Sequence, residues 1–145
     1  MTQPAAQETP ERVPPAPAFL PLAVVAAHRT GQPLNPQLVT LGGRYLSVTT
    51  TAPVYRLLAL PGGDVARGGI WWAGTEGASV EVELHDLPLT AVGALLCLLP
   101  APLAIGRVEL ADGSSVCGLL CAYRPDDAID VTQHVSWPRY LASRA

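Results

Sequence analysis

The sequence predicts an α+β domain: a small, mostly antiparallel β-barrel or curled sheet with flanking helices. Three observations predict it. Runs rich in apolar and β-branched residues outnumber helical patterns, with about three short helices among them. The connections between strands are too brief for repeated parallel crossovers, which need a dozen residues or more. An Asp112-Gly113 pair also sits between two apolar-patterned arms, the strongest short-range hairpin signature.

Residues 1–18 hold five prolines and no aromatic residue, so they lack the apolar area that offsets the entropy of ordering; they read as a disordered Pro-rich tail, with one folded domain over 19–145. From Leu20 to Ala27 the chain is continuously hydrophobic, as in a strand covered on both faces, and it ends at His28. Gly31 and Pro33 then form a turn. Asn35 reads as a helix N-cap with Pro36 at the first helical position, and Gly42 and Gly43 supply the stop. Two strands follow, RYLSVTTTAPV and YRLLALPG. GGIWWAG and ASVEVELHDLP alternate about the GTEG segment and suggest a hairpin, with Val80, Val82 and Leu84 on one face and Glu81, Glu83 and His85 on the other. Trp71 and Trp72 point to opposite faces, so at most one belongs to the core. LPLTAVGALLCLLP reads as a helix that Pro100 cannot continue. After the Asp-Gly hairpin, Asp130 or Thr132 is available to cap a last helix bearing Trp137, Tyr140 and Leu141 at helical spacing.

Composition narrows the function. The chain has 145 residues, near the commonest size of one domain, and carries 49% hydrophobic and 14% charged residues with a net charge of −3. All nine basic residues are arginines and they are scattered, so a nucleic-acid partner is not expected. Phe19 to Ala27 is too short to span a bilayer and lacks the basic leader of a signal peptide; no membrane association is expected. Cys97, Cys117 and Cys121 form no CxxC pair and read as buried free thiols, which suits a cytoplasmic protein without a metal site.

Phosphate loops, dinucleotide fingerprints, HExxH and GxSxG are all missing from the sequence. The Ser114-Ser115 pair lies at a hairpin tip, where turn chemistry explains it. His28 stands out because it closes a buried strand just before a glycine turn that leads to a helix N-terminus, a place where an imidazole meets free backbone N–H groups and an anion. The alternative is a surface histidine at a strand end. Asn35 reads as a cap or as a ligand contact. Glu81 and Glu83, about 7 Å apart on one strand face, read either as a carboxylate pair or as a solvated outer face. Tyr55 and Arg56 open a strand and either reach a cavity or stay on its surface.

Five segments in order, AHRTGQPLNPQLVTLGGRYL, TAPVYRLLALPG, ASVEVELHDLP, LPAPLAIGRVELADGSSVCGLLCAY and DVTQHVSWPRYLA, resemble the C-terminal domain of allophanate hydrolase over about residues 20–142. The first half is similar to the wider gamma-glutamyl-cyclotransferase-like superfamily, in which a first strand runs into a loop of the kind Ala27 to Asn35. The resemblance implies a small barrel with helices. It departs from the cyclotransferases in lacking their Tyr-Gly pair and in having LLCLLPAP where they carry a catalytic acid, which argues against that activity.

In the family this domain is implicated in processing N-carboxycarbamate, the dianionic product of an amidase domain. That amidase has no room in 145 residues and its catalytic Lys has no counterpart, so the expectation is a stand-alone homologue with no amidase activity, working beside a separately encoded amidase in urea and amide nitrogen metabolism. Position and chemistry suggest His28 as proton donor to the nitrogen, and Arg44, Arg56 or the helix start behind Asn35 as holders of carboxylate. Tyr55 and Glu83 complete the expected ligand contacts. The expected ligand is a small anionic metabolite, with no cofactor; a homo-oligomer is left open. The rival expectation is a non-catalytic module that organises an amidase through its barrel surface and the last helix around Trp137 and Tyr140.

Overall fold

The structure, a computed structural model, describes residues 12–15 and 17–145. Most of the tail expected over 1–18 thus lies outside the described residues. Among the described residues, eight strands form two sheets. The larger is built from β1 (Phe19–Val24), β2 (Arg44–Thr50), β5 (Glu81–Pro88), β6 (Leu103–Glu109) and β7 (Ser115–Cys121), in the order β2-β5-β1-β7-β6. The smaller places β3 (Tyr55–Leu60) between β4 (Arg67–Trp72) and β8 (Ile129–Asp130). Helices are short: α1 (Asn35–Thr40), α2 (Val92–Leu98) and α3 (Trp137–Ser143). Every strand pair is antiparallel except β1 with β7, so the expected α+β class and mostly antiparallel sheet are observed.

β1 explains its own unbroken hydrophobic run. Leu22 and Val24 pack with Leu38, Leu87, Leu95 and Leu119 beneath α1 and α2, whereas Ala23 and Val25 join Leu57, Ile70, Val82 and Trp137 between the sheets. Leu22, Val24, Leu57 and Val82 are wholly buried, and each such side chain contributes about 1.5–3 kcal/mol of transfer free energy. The larger sheet curls until its edge strands meet beyond their ends. Thr51 bridges Leu110, Ala52 N–H donates to the Glu109 carbonyl at 2.9 Å, and Ala111 N–H donates to the Thr50 carbonyl at 3.0 Å. Closure is confined to that end, so the sheet curls without closing into a true barrel, and the second sheet packs against it.

Several local expectations are corrected. GGIWWAG and ASVEVELHDLP do not pair as a hairpin: β4 pairs with β3, while β5 lies between β1 and β2 in the other sheet. The GTEG segment is a crossover, pinned where Ala78 bridges Tyr55. Asn35 does not cap α1, whose N-cap is Leu34; the helix start relies on Pro36 instead. The last helix is capped by Ser136, whose Oγ accepts Arg139 N–H, while Asp130 ends β8 and turns the chain by accepting Thr132 N–H at 3.0 Å. Trp137 and Tyr140 are buried, so they offer no docking surface for a partner. Neither tryptophan of β4 enters the core, Trp72 being exposed and Trp71 lying under the Arg124 guanidinium. Cys97 is exposed and Cys117 half-buried, and burial pushes the Cys121 thiol up to about 11. Among the described residues no helix is long and apolar enough to cross a membrane.

Candidate functional site

The chain leaves β1 at Val24 and folds over the end of the sheet before α1 begins. Gly31 takes φ +81°, the left-handed conformation the turn requires, and Leu34 N–H returns to the Ala27 carbonyl at 2.9 Å. Asn35, displaced from its expected capping role, donates from Nδ2 to the His28 carbonyl at 3.1 Å. These bonds hold His28 at 3% exposure. Gln37, in the first turn of α1, places Oε1 at 2.7 Å from His28 Nε2. An amide oxygen only accepts, so Nε2 carries the hydrogen and Nδ1 keeps the lone pair. Burial, opposed by the Gln37 bond and aided by the charge of Arg67, holds the imidazole below its ordinary value near 6.5.

Beside His28 lies a hollow of about 10 Å³, lined also by Arg67, Gly68 and Leu103; that volume is enough for about one water molecule. Arg67, at the start of β4, faces two larger spaces as well. One, of about 300 Å³, runs between the β3–β4 turn and Pro100–Pro102; the other, of about 280 Å³, runs between the same turn and α3. Arg67 Nη1 is buried and has no hydrogen-bond partner among the described residues. His28 and Arg67 therefore both line one small hollow, and Arg67 also lines both larger cavities.

The second polar cluster ties the loop to β5. Arg29 is 4% exposed and reaches Glu81 Oε1 at 2.7 Å and Glu83 Oε2 at 3.3 Å. Glu83 Oε1 accepts the Thr30 N–H at 2.8 Å and lies 3.0 Å from His85 Nε2. Burial alone pushes the Glu83 carboxyl up, but the Thr30 amide, His85 and Arg29 together outweigh it and hold it below the usual carboxylate range. The Glu83 face is not the solvated one: it is internal.

Of the sequence-predicted residues, His28 and Asn35 lie together and Glu83 anchors the next turn of the loop. Arg44 is elsewhere, over the Phe19 ring and 3.5 Å from Asp86. Arg56 pairs with Asp130 at 2.8 Å on the second sheet. The buried Tyr55 hydroxyl accepts Glu109 N–H at 2.9 Å, where the larger sheet closes. None of these three lines the hollow at His28. Among the described residues no three His, Cys, Asp or Glu side chains gather as metal ligands.

The model of the allophanate hydrolase C-terminal domain matches residues 20–142. The chain belongs to that family. It is 34% identical over 125 residues to the urea amidolyase of Saccharomyces cerevisiae, covering 83% of this chain and 7% of that much longer protein. Kluyveromyces lactis allophanate hydrolase superposes with TM-score 0.82 at 32% identity, over 87% of this chain and 21% of its own. c4763, a uropathogenic E. coli-specific protein, superposes with TM-score 0.77 at 34% identity over 86% of this chain and 96% of its own. A mouse AIG2-like protein shares the fold alone, at TM-score 0.56 and 15% identity over 74% of this chain and 81% of its own. Within this allophanate hydrolase C-terminal domain, Gln37 and Arg67 are the residues that sequence reasoning passed over. Gln37 stands two positions after Asn35 in NPQL and was legible as a neighbour of the loop; Arg67 reaches His28 only through the pairing of β3 with β4.

Proposed function

We propose that this domain binds a small carboxylated nitrogen compound such as N-carboxycarbamate and promotes its decarboxylation, acting after an amidase in urea and amide nitrogen metabolism. The observation that carries the reading is that the buried His28 lines a hollow together with Arg67, whose Nη1 has no hydrogen-bond partner among the described residues. The balanced step breaks one C–N bond of the dianion: carbon dioxide leaves, the bonding electrons stay on nitrogen, and one proton arrives there to give carbamate. His28 relays that proton from water. Gln37 fixes the tautomer by occupying Nε2, so protonation and delivery fall to Nδ1. A guanidinium beside the leaving carboxylate orients the dianion.

Family membership supports the substrate class, and the names of the longer relatives support an amidase upstream. Allophanate supplied with a separate allophanate-cleaving amidase tests the reading. Added domain should speed carbon dioxide release beyond the uncatalysed decay, and His28→Asn should abolish the gain. If the variant matches the parent, His28 is not the proton relay.

A second reading, a non-catalytic module that seats an amidase, is favoured by one observation. Tyr45, Leu46 and Val48 of edge strand β2 are all about half exposed. Charged substitutions at Leu46 and Val48 should then abolish co-purification with the amidase while leaving carbon dioxide release unaffected.

A further inference from the structure

Strand β2 lies at one edge of the larger sheet, and Arg44, Tyr45, Leu46, Ser47 and Val48 are all exposed along it. One side of the strand is paired with β5; the other is closed only at its end, where the Thr50 carbonyl accepts Ala111 N–H at 3.0 Å and Thr51 bridges Leu110. Before that point the edge is open. An open edge is a template for another strand, and native proteins blunt it with lysine, proline, inward charge or a bulge. Past Arg44, β2 has no charge and no proline, and its register shift between Tyr45 and Ser47 leaves a single bulged residue, Leu46.

The backbone says which strand fits. Thr51 N–H turns inward to the Val80 carbonyl at 2.9 Å, while the Thr50 carbonyl turns outward to Ala111. These directions alternate along a strand, so Val48 turns its N–H and C=O outward and Ser47 turns inward. An antiparallel copy of β2 centred on Val48 sets Leu46 against Thr50, whose carbonyl is already taken. Centred on Ser47, it sets Leu46 of each copy against Val48 of the other, apolar against apolar. Charge agrees with that register: Arg44 is the one charged residue of the strand, and the twofold axis holds the two arginines about 20 Å apart.

We propose that β2 is the contact of a twofold dimer, in which a second copy of this chain adds its own β2 antiparallel about Ser47 and joins two five-stranded sheets edge to edge. A contact this short is at the weak end of specific interfaces, under about 1,200 Å² in total, so association follows concentration. The dimer uses the edge that the second reading above gives to an amidase, and the two exclude each other.

Sedimentation velocity of the full chain should show monomer at about 1 µM and dimer at about 1 mM. Leu46→Lys with Val48→Lys brings lysine against lysine in this register and should weaken association about tenfold or more. Leu46→Glu with Val48→Lys sets unlike charges opposite and should recover it. Independently of these variants, Ser47→Cys in a Cys97→Ser background should give a disulfide-linked dimer under mild oxidation, because residues facing across the axis have Cα atoms about 4.5 Å apart. Thr49→Cys in the same background, away from the axis, should not. A parent that stays monomeric at the higher concentration overturns the dimer and leaves the edge to an amidase. A dimer indifferent to both lysines overturns β2 as its contact, and one cross-linked equally through Thr49→Cys overturns the register.

Discussion

The Glu83 carboxylate receives the Thr30 backbone N–H at 2.8 Å across 53 residues of chain, and so fastens the loop that carries His28 to the middle of the sheet. The same carboxylate holds Arg29 and His85, all three side chains being nearly sealed from water. Glu83→Ala should therefore leave a buried guanidinium with Glu81 alone, and lower stability by about 3 kcal/mol, the lower end for breaking a buried ion pair. A urea midpoint within error of the parent would show that the network is dispensable.

Gln37 acts on His28 through a single hydrogen bond that favours the charged ring. Its loss in Gln37→Leu should drop the His28 titration further below the ordinary histidine value, because burial and Arg67 then act unopposed. Proton-detected titration of the imidazole checks this. An unchanged or raised midpoint would refute the role given to Gln37.

Acid should weaken the fold in steps whose order follows from the shifted groups. His28 is lowered in the folded state, so the unfolded chain takes its proton first; that stability is complete above about 6.5 and is lost as pH falls through the folded value. Glu83 is also lowered, and its contribution begins to fade only below 4.5. Asp130, pushed up by burial but held down by Arg56 and Thr132 to about 2, loses its contribution between 3.8 and that value. Melting temperatures should thus decline from pH 7 to 5 in the parent and stay flatter in His28→Asn. Parallel declines in both would remove His28 from the first step.

Gly77 ends the crossover between the sheets, and a Cβ there would lie 2.1 Å from the Val54 carbonyl carbon and 2.4 Å from Tyr55 N. Backbone, unlike a side-chain tip, has no alternative rotamer. Gly77→Ala should cost at least about 2 kcal/mol, in the range for overpacking a tight site, measured by thermal or urea unfolding. A neutral substitution would mean that the crossover is looser than drawn.

Elements whose partners are near in sequence were readable beforehand. Asp112 accepts Ser114 N–H at 2.9 Å and Gly113 takes φ +89°, as the Asp-Gly hairpin between β6 and β7 requires. The run before His28 was likewise legible as a doubly covered strand. Alternation in β5 assigned side chains to two faces but not to water or core, because both faces are covered: helices lie on one and the second sheet on the other. It also misassigned the partner of β4, since two alternating arms around turn formers look the same whether they pair or part. At the site, His28 and Asn35 lie close along the chain, whereas Arg67 arrives from 39 residues away with the pairing of β3 and β4, which local pattern does not encode.

The parallel register of Leu22 and Ala23 with Cys117 and Gly118 has a consequence for biogenesis. Of the described strands β1 is made first and lies at the centre of its sheet, yet its two neighbours emerge from the ribosome roughly 60 and 95 residues later. Until then a strongly apolar segment has unsatisfied edges on both sides. High sequence separation of this kind slows folding and exposes the nascent chain to mispairing. The domain should accordingly acquire protease resistance late and in one event, once β7 is available, and chains truncated before Ser115 should remain chaperone clients.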